Sequence, residues 1–214
     1  MSDAMIAAPT RAPAPAKPRT RRPPRSETRK LVIDGAIAAF VERGFMGASV
    51  NFICSKAGLS RGAFYSNFGD KDELFAALYE RRAEKLRTRL MGGVAELDLA
   101  DDVFEQLRVV LAELDADEFD WAIINKEFAI HALRNDSARR LLVELRAALR
   151  NDLAQVITTV LVVLGKTPPA DMDDLTRLAV AIHEGDMTQR GLEPAERAGR
   201  SLLSEYFVRI LKAL

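Results

Sequence analysis

Cysteine is almost missing from this 214-residue chain. The one thiol, Cys54, has no partner in the sequence, which excludes an internal disulfide framework. Histidine is nearly as scarce, with only His131 and His183, and neither stands at a metal-ligand spacing. Long apolar runs are lacking too. The longest, Val156 to Leu164, is interrupted by Thr158 and Thr159 and falls well short of the roughly 20 residues that cross a bilayer. The first residues alternate Pro, Ala and Arg instead of forming the apolar stretch of a secretory signal, so a cytoplasmic protein without a membrane segment is expected. No Gly-rich phosphate loop, His-Glu-x-x-His or Gly-x-Ser-x-Gly occurs, and no alternating strand pattern or fixed repeat either. No catalytic residue, metal or cofactor is therefore expected.

What is present is apolar residues at helical spacing, with charge sorted along the chain. Residues 1–30 hold eight Lys and Arg against Asp3 and Glu27, a net of +6, and since the whole chain is neutral the remainder carries −6. A basic, Pro-rich arm on an acidic body points to a nucleic acid or another anionic surface. Arg19, Arg21, Arg22 and Arg25, kept extended by Pro18, Pro23 and Pro24, could follow a minor groove, or the arm could be a solvated tail.

From Ser26 onward the chain reads as helix. Val32, Ile33, Ala36, Ile37, Phe40 and Val41 give a first amphipathic helix over about 27–43 that ends at Gly44. Ser49 caps a short second helix stopped by Gly58, Ser60 caps a third over Arg61 to Asn67, and Asp70 with Glu73 opens a long fourth. Two short helices around a Gly turn are a helix-turn-helix signature. Gly92-Gly93 is expected to break the fourth helix. Further helices are expected over about 101–114, 119–134, 137–164, 171–189 and 195–213, the last two divided by Gly191 and Pro194.

The ordered series Gly44-Phe45, Ser49, Ala57-Gly58-Leu59-Ser60, Gly62-Ala63-Phe64-Tyr65-Ser66-Asn67-Phe68 and Lys71-Asp72-Glu73-Leu74 resembles the TetR family of bacterial transcriptional regulators over Leu31 to Leu78. With the helical pattern this gives an all-α expectation: an N-terminal three-helix helix-turn-helix DNA-binding domain and a C-terminal helical ligand-binding and dimerisation domain. The expected divisions are a basic arm over 1–25, a DNA-binding unit over 26–72 and a helical body over 73–214, bridged by the fourth helix.

A recognition helix enters the major groove N-terminus first, so its first turn needs a polar group among small residues. Arg61, Gly62 and Ala63 supply that, with Arg61 reading a base or meeting only phosphate. Ser49, Ser60, Tyr65 and Lys71 suit backbone contacts, and the resemblance implies that Tyr65 and Lys71 clamp the DNA. Ser66 and Asn67 could reach backbone or bases, while Phe64 and Phe68 read as core.

A single recognition helix reads too few base pairs, so a homodimer on a palindromic operator is expected. Leu178 and Ile182, with Leu202, Tyr206 and Ile210, are the expected interface, although these stripes could equally pack on their own subunit. The resemblance implies a four-helix interface and a cavity for a small, mostly apolar effector. Trp121, Asn125, Phe128, His131 and His183 are its expected lining. The expected role is a ligand-responsive regulator, a repressor in most such families. The alternatives are a non-specific structural DNA-binding protein and an all-helical enzyme using Glu127, His131 and Glu184. Cys54 falls on the inward face of the second helix, as a small buried hydrophobe.

Overall fold

The computed structural model describes residues 24–114, 119–193 and 201–214. Among them every regular element is helical: α1 Arg25–Gly47, α2 Val50–Ala57, α3 Arg61–Tyr65, α4 Lys71–Ala95, α5 Val103–Glu113, α6 Phe119–Arg134, α7 Asp136–Val163 and α8 Met172–Leu192. The final helix, α9, is wound as π-helix over Leu203–Phe207 and as α-helix over Val208–Ala213. Arg19, Arg21 and Arg22 of the arm lie outside the described residues.

Local chemistry sets the first boundaries. Ser49 Oγ accepts from the Phe52 N–H at 3.2 Å and Ser60 Oγ from the Ala63 N–H at 3.2 Å, each satisfying a donor that the helix leaves open. Gly58 ends α2 in the left-handed conformation, with φ 65°. At α4, Asp70 Oδ1 accepts from the Glu73 N–H at 2.8 Å. The Glu73 carboxylate reaches back to the Gly69 N–H at 2.6 Å, one residue earlier than a capping box would have it.

The end of α1 is less regular than the sequence suggests. Gly44 does not stop the helix. It kinks it at φ 72°, ψ 162°, a region open almost only to glycine, and one more turn runs on to Gly47. The kink turns Phe45 inward, where it is 1% exposed. Its N–H donates to the Glu127 carboxylate of α6, and its carbonyl accepts from Lys71 Nζ at 2.7 Å. Phe45 then meets Phe40, Phe75, Phe128 and His131 at ring-centroid distances of 5.0–6.2 Å, and Phe75 stacks on Phe128 at 3.6 Å. One apolar cluster thus runs from α1, α2 and α3 through α4 into α6 and α7.

One expected helix break is corrected, and the division expected around Gly191 and Pro194 falls at Leu192. α4 passes through Gly92-Gly93 to Ala95, because Gly93 serves packing: a Cβ there would come within 2.6 Å of Val110 on α5. α8 passes through Gly191 to Leu192, and a Cβ on that glycine would run into the Phe119 ring of α6. A glycine in an exposed helix costs about 1 kcal/mol, less than separating two packed helices. α7 lies against α4, α6 and α8, and α9 packs on α5 and α8. The start of α9 is fixed from outside: buried Asp186 on α8 accepts from the Leu202 N–H at 2.9 Å, a carboxylate at a helix N-terminus.

Gly44→Ala is expected to lower unfolding free energy by at least the roughly 1–3 kcal/mol of the disallowed backbone, with added clash at Glu127. Glu127→Ala should cost about 1–3 kcal/mol by stranding the Phe45 N–H. Urea unfolding followed by far-ultraviolet circular dichroism measures both, and an unchanged midpoint in either variant would refute the role given to this junction.

Candidate functional site

The first candidate site is the front of the helix-turn-helix. α3 holds its position by its back, where Phe64 is fully buried and Phe68 is 1% exposed, as the sequence indicates. Its front is open: Arg61, Gly62, Tyr65 and Ser66 are exposed and Ala63 is half-buried. The Arg61 guanidinium carbon lies 5.7 Å from the Tyr65 ring centroid, so the charge rests along its own helix, with no carboxylate among the described residues holding it. Arg25 joins this face, its Nη2 donating to the Ser66 carbonyl at 3.3 Å. Ser49 and Ser60 stand at exposed helix N-termini with their hydroxyls already used as caps.

Three polar residues have local duties that spacing alone does not reveal. The Ser66 hydroxyl donates to the Ala63 carbonyl at 2.9 Å and Asn67 Nδ2 donates to the same oxygen at 2.8 Å, closing the end of a short helix. That is why α3 ends at Tyr65, short of Asn67. Lys71 is half-buried over the Phe45 ring at 4.9 Å, and burial pushes its ammonium pKa down, with Asp72 acting against this. Cys54 is 5% exposed, and burial pushes its thiol up, which disfavours the reactive thiolate.

The second candidate site is a cavity of about 140 Å³ between α4, α5, α6, α7, α8 and α9. Its walls are mostly aliphatic, drawn from residues such as Leu86, Leu90, Leu107, Leu153, Val156 and Phe207. Three of the expected lining residues, Trp121, Asn125 and His183, are there. Phe128 and His131 are not, and this corrects the expectation. Phe128 is stacked on Phe75 in the aromatic cluster, and His131 Nε2 lies 3.2 Å from Asp72 Oδ1 at the start of α4. Trp121 and Phe128, seven residues apart, share a face of α6 and both stack on Phe75; the division runs along the helix, its early turns lying at the cavity and its later turns against α1 and the start of α4. The Leu86/Leu90 and Leu149/Leu153 pairs of α4 and α7 also line the cavity, and their i, i+4 spacing was the available sign.

Polar groups gather at one place on the wall. Glu184 Oε1 accepts from Asn125 Nδ2 and from Arg146 Nη2, each at 3.0 Å, and Lys126 Nζ donates to the Glu184 carbonyl at 3.2 Å. Glu184 is therefore tied into the cavity wall, apart from Glu127 and His131 at the α1 junction. Among the described residues, no three of His, Cys, Asp and Glu cluster so as to hold a metal ion, and no helix is long and apolar enough to cross a membrane.

Tyr79 lies beside this patch, edge-on to Trp121 at 5.5 Å. Burial pushes its phenol up to about 12, with Arg146 and Arg150 pulling down and Glu184 pushing further up. Since its folded pKa exceeds the ordinary value of 10, its contribution to stability is complete below about pH 10 and is lost as pH rises towards 12. Of the three tyrosines, one should ionise late in a phenolate-absorbance titration. Tyr79→Phe should remove that step and flatten the alkaline loss of stability.

On the outward sides of α8 and α9, Leu178 and Tyr206 are 44% and 49% exposed. Ile182, Leu202 and Ile210 are half-buried, and Ile182 and Ile210 pack on the cluster formed by Leu175, Ala179, Phe207 and Leu211.

Comparison with known proteins agrees with this geometry. Residues 32–78 match the family model of bacterial regulatory proteins of the tetR family. The HTH-type transcriptional repressor AcnR of Corynebacterium glutamicum is 31% identical over 115 residues, 54% of this chain and 55% of AcnR. The regulator CymR of Pseudomonas putida is 32% identical over 102 residues, 48% of this chain and 50% of CymR. The chain thus spans about half the length of these curated relatives. Among solved structures, Salmonella enterica GusR superposes with a TM-score of 0.68 at 20% identity, covering 88% of this chain and 95% of GusR. FadR from Bacillus subtilis, in complex with stearoyl-CoA, superposes at 0.64 and 18% identity, covering 85% and 96%. At such identities these superpositions bear on the fold, while the helix-turn-helix, over the same residues that carry the exposed α3 front, matches the TetR family of transcriptional regulators.

Proposed function

We propose that the protein is a ligand-responsive transcriptional repressor that binds a palindromic operator as a homodimer and leaves it when a small, mostly apolar effector fills the cavity. In this reading residues 26–72 read DNA and residues 73–214 sense and dimerise. The observation that carries it is the position of α6. Trp121 and Asn125 on this helix line the cavity, while Glu127, one short step further along, holds the Phe45 N–H at the base of the helix-turn-helix. A ligand that displaces α6 acts directly on the element that orients α3. The repressor relatives and the ligand-bound FadR neighbour support the same assignment.

On DNA, Arg61 is the base-reading residue, and Tyr65 with the exposed Ser49 and Ser60 N-termini meets phosphates. Lys71 reaches phosphate only with the donor capacity left over from Phe45. Ser66 and Asn67 act by fixing the end of α3. Arg25 and the arm before it add charge rather than sequence preference. A palindrome upstream of the protein's own gene is the first operator to test, against random DNA at matched salt.

Arg61→Ala should cost about 1–3 kcal/mol on the cognate site and relax preference at one base position. A uniform loss over all base substitutions would move Arg61 to the phosphate contacts, and equal affinity of the parent protein for operator and random DNA would favour a structural DNA-binding protein. In the same titrations, removing residues 1–25 should flatten the dependence of log K on log salt by about two to four units while preserving the ranking of operator variants.

Leu178 and Tyr206 supply the exposed part of the dimer face, continuous with half-buried Ile182, Leu202 and Ile210. Leu178→Asp should give a folded monomer in sedimentation at low micromolar concentration, because a carboxylate buried in an apolar interface costs more than separation. A variant that still sediments as a dimer would put the interface elsewhere.

A further inference from the structure

The polar patch in the cavity wall is incompletely satisfied, and this restricts what the cavity takes. Asn125 is 6% exposed and lines the cavity, its Nδ2 donates to Glu184, and its Oδ1 is buried without a donor. Turning the amide over does not cure this, because it would set the oxygen against the Glu184 carboxylate and leave the NH2 unmet. Arg146, whose Nη2 donates to the same Glu184 oxygen, has a buried Nε without an acceptor. Arg146 lies outside the cavity lining, so the unmet atom of this patch that a ligand in the cavity reaches is the acceptor Asn125 Oδ1. Buried polar groups left in this state cost stability until something meets them.

We infer that the effector is a neutral, largely hydrocarbon molecule carrying a hydroxyl or a secondary amide, a group that both donates and accepts, which seats against Asn125 Oδ1. This rests on the reading of the cavity as the effector site. Charge argues against the other head groups. A carboxylate brings only acceptors to Asn125 Oδ1. An ammonium ion would enter beside Arg82 and Lys126, which line the cavity, while the one carboxylate of the patch is already engaged by Arg146. The hydrocarbon body is set by the aliphatic walls. A cavity of about 140 Å³ resembles in size the roughly 150 Å³ apolar cavity known to admit benzene, so a compact chain or ring suits it better than a long acyl tail.

Trp121 makes the test direct, because it is the chain's single tryptophan and lies in the cavity wall. Its fluorescence in the full-length protein is titrated with 1-octanol, with the isomeric heptyl methyl ether, which has the same atoms and no donor, and with octanoate. The octanol is expected to bind about tenfold more tightly than the ether, the worth of one buried hydrogen bond, and more tightly than octanoate. Asn125→Leu should bring octanol and ether to equal affinity, with thermal unfolding confirming that the variant is folded. Should that variant fail to fold, Asn125→Ser, which keeps an acceptor in a smaller side chain, should retain part of the alcohol preference. Equal binding of octanol and ether by the parent protein would overturn the inference while leaving the cavity as an effector site, and so would tighter binding of octanoate. No response of Trp121 to any of the three would overturn both.

Discussion

The bond from the Phe45 N–H to the Glu127 carboxylate is the constraint on which the arrangement of this molecule depends. Gly44 permits a backbone turn that almost no other residue can adopt, and the turn would bury a peptide N–H with nothing to receive it. Glu127 receives it from α6, and Lys71 Nζ closes the neighbouring carbonyl from α4. Three helices therefore meet at one dipeptide through hydrogen bonds of fixed direction, and the rings of Phe40, Phe45, Phe75 and Phe128, edge-on and stacked, fill the space around it. Apolar packing alone tolerates sliding. Directional bonds to a kinked backbone do not, so the helix-turn-helix sits on the body in one register.

The cavity follows from the same helix. α6 meets different partners along its length, and Trp121 joins them, stacking on Phe75 at 5.9 Å while it lines the cavity. Ile124 and Phe128 enter the aromatic cluster, while Trp121 and Asn125 face the space between α4, α7 and α8. The glycines of α4 and α8 let neighbouring helices approach closely at the edges of that space, at Val110 and Phe119. The cavity thus lies between close helix approaches, with mostly aliphatic walls and one polar patch at Asn125, Lys126 and Glu184.

Much of this was legible in the sequence where the cause is local. Ser49, Ser60 and Asp70 cap the helices they precede, Gly58 ends α2, and Phe64 and Phe68 are buried, because a cap or an amphipathic stripe needs nothing beyond a few neighbouring residues. Legibility failed where the cause is distant. Gly93 and Gly191 look like helix breakers and are spacers for residues 17 and 72 positions away. Phe128 and His131 have the chemistry of a pocket lining, yet periodicity cannot say how far along α6 the cavity extends. Ser66, Asn67 and Lys71 look free for DNA because the carbonyls that engage them, Ala63 and Phe45, become available only after α3 ends and α1 bends.

Continuity of the aromatic cluster bears on how such proteins can be recombined. A chimera that grafts a foreign helix-turn-helix onto this body at the start of α4 would cut through Phe45, Phe75 and Phe128, and it would separate a kinked backbone from its acceptor. The transferable unit is α1 to α3 together with the α6 face that carries Glu127, Phe128 and His131, a surface discontinuous in the chain. The helix-turn-helix and the cavity are exchanged cleanly only when that face travels with α1 to α3.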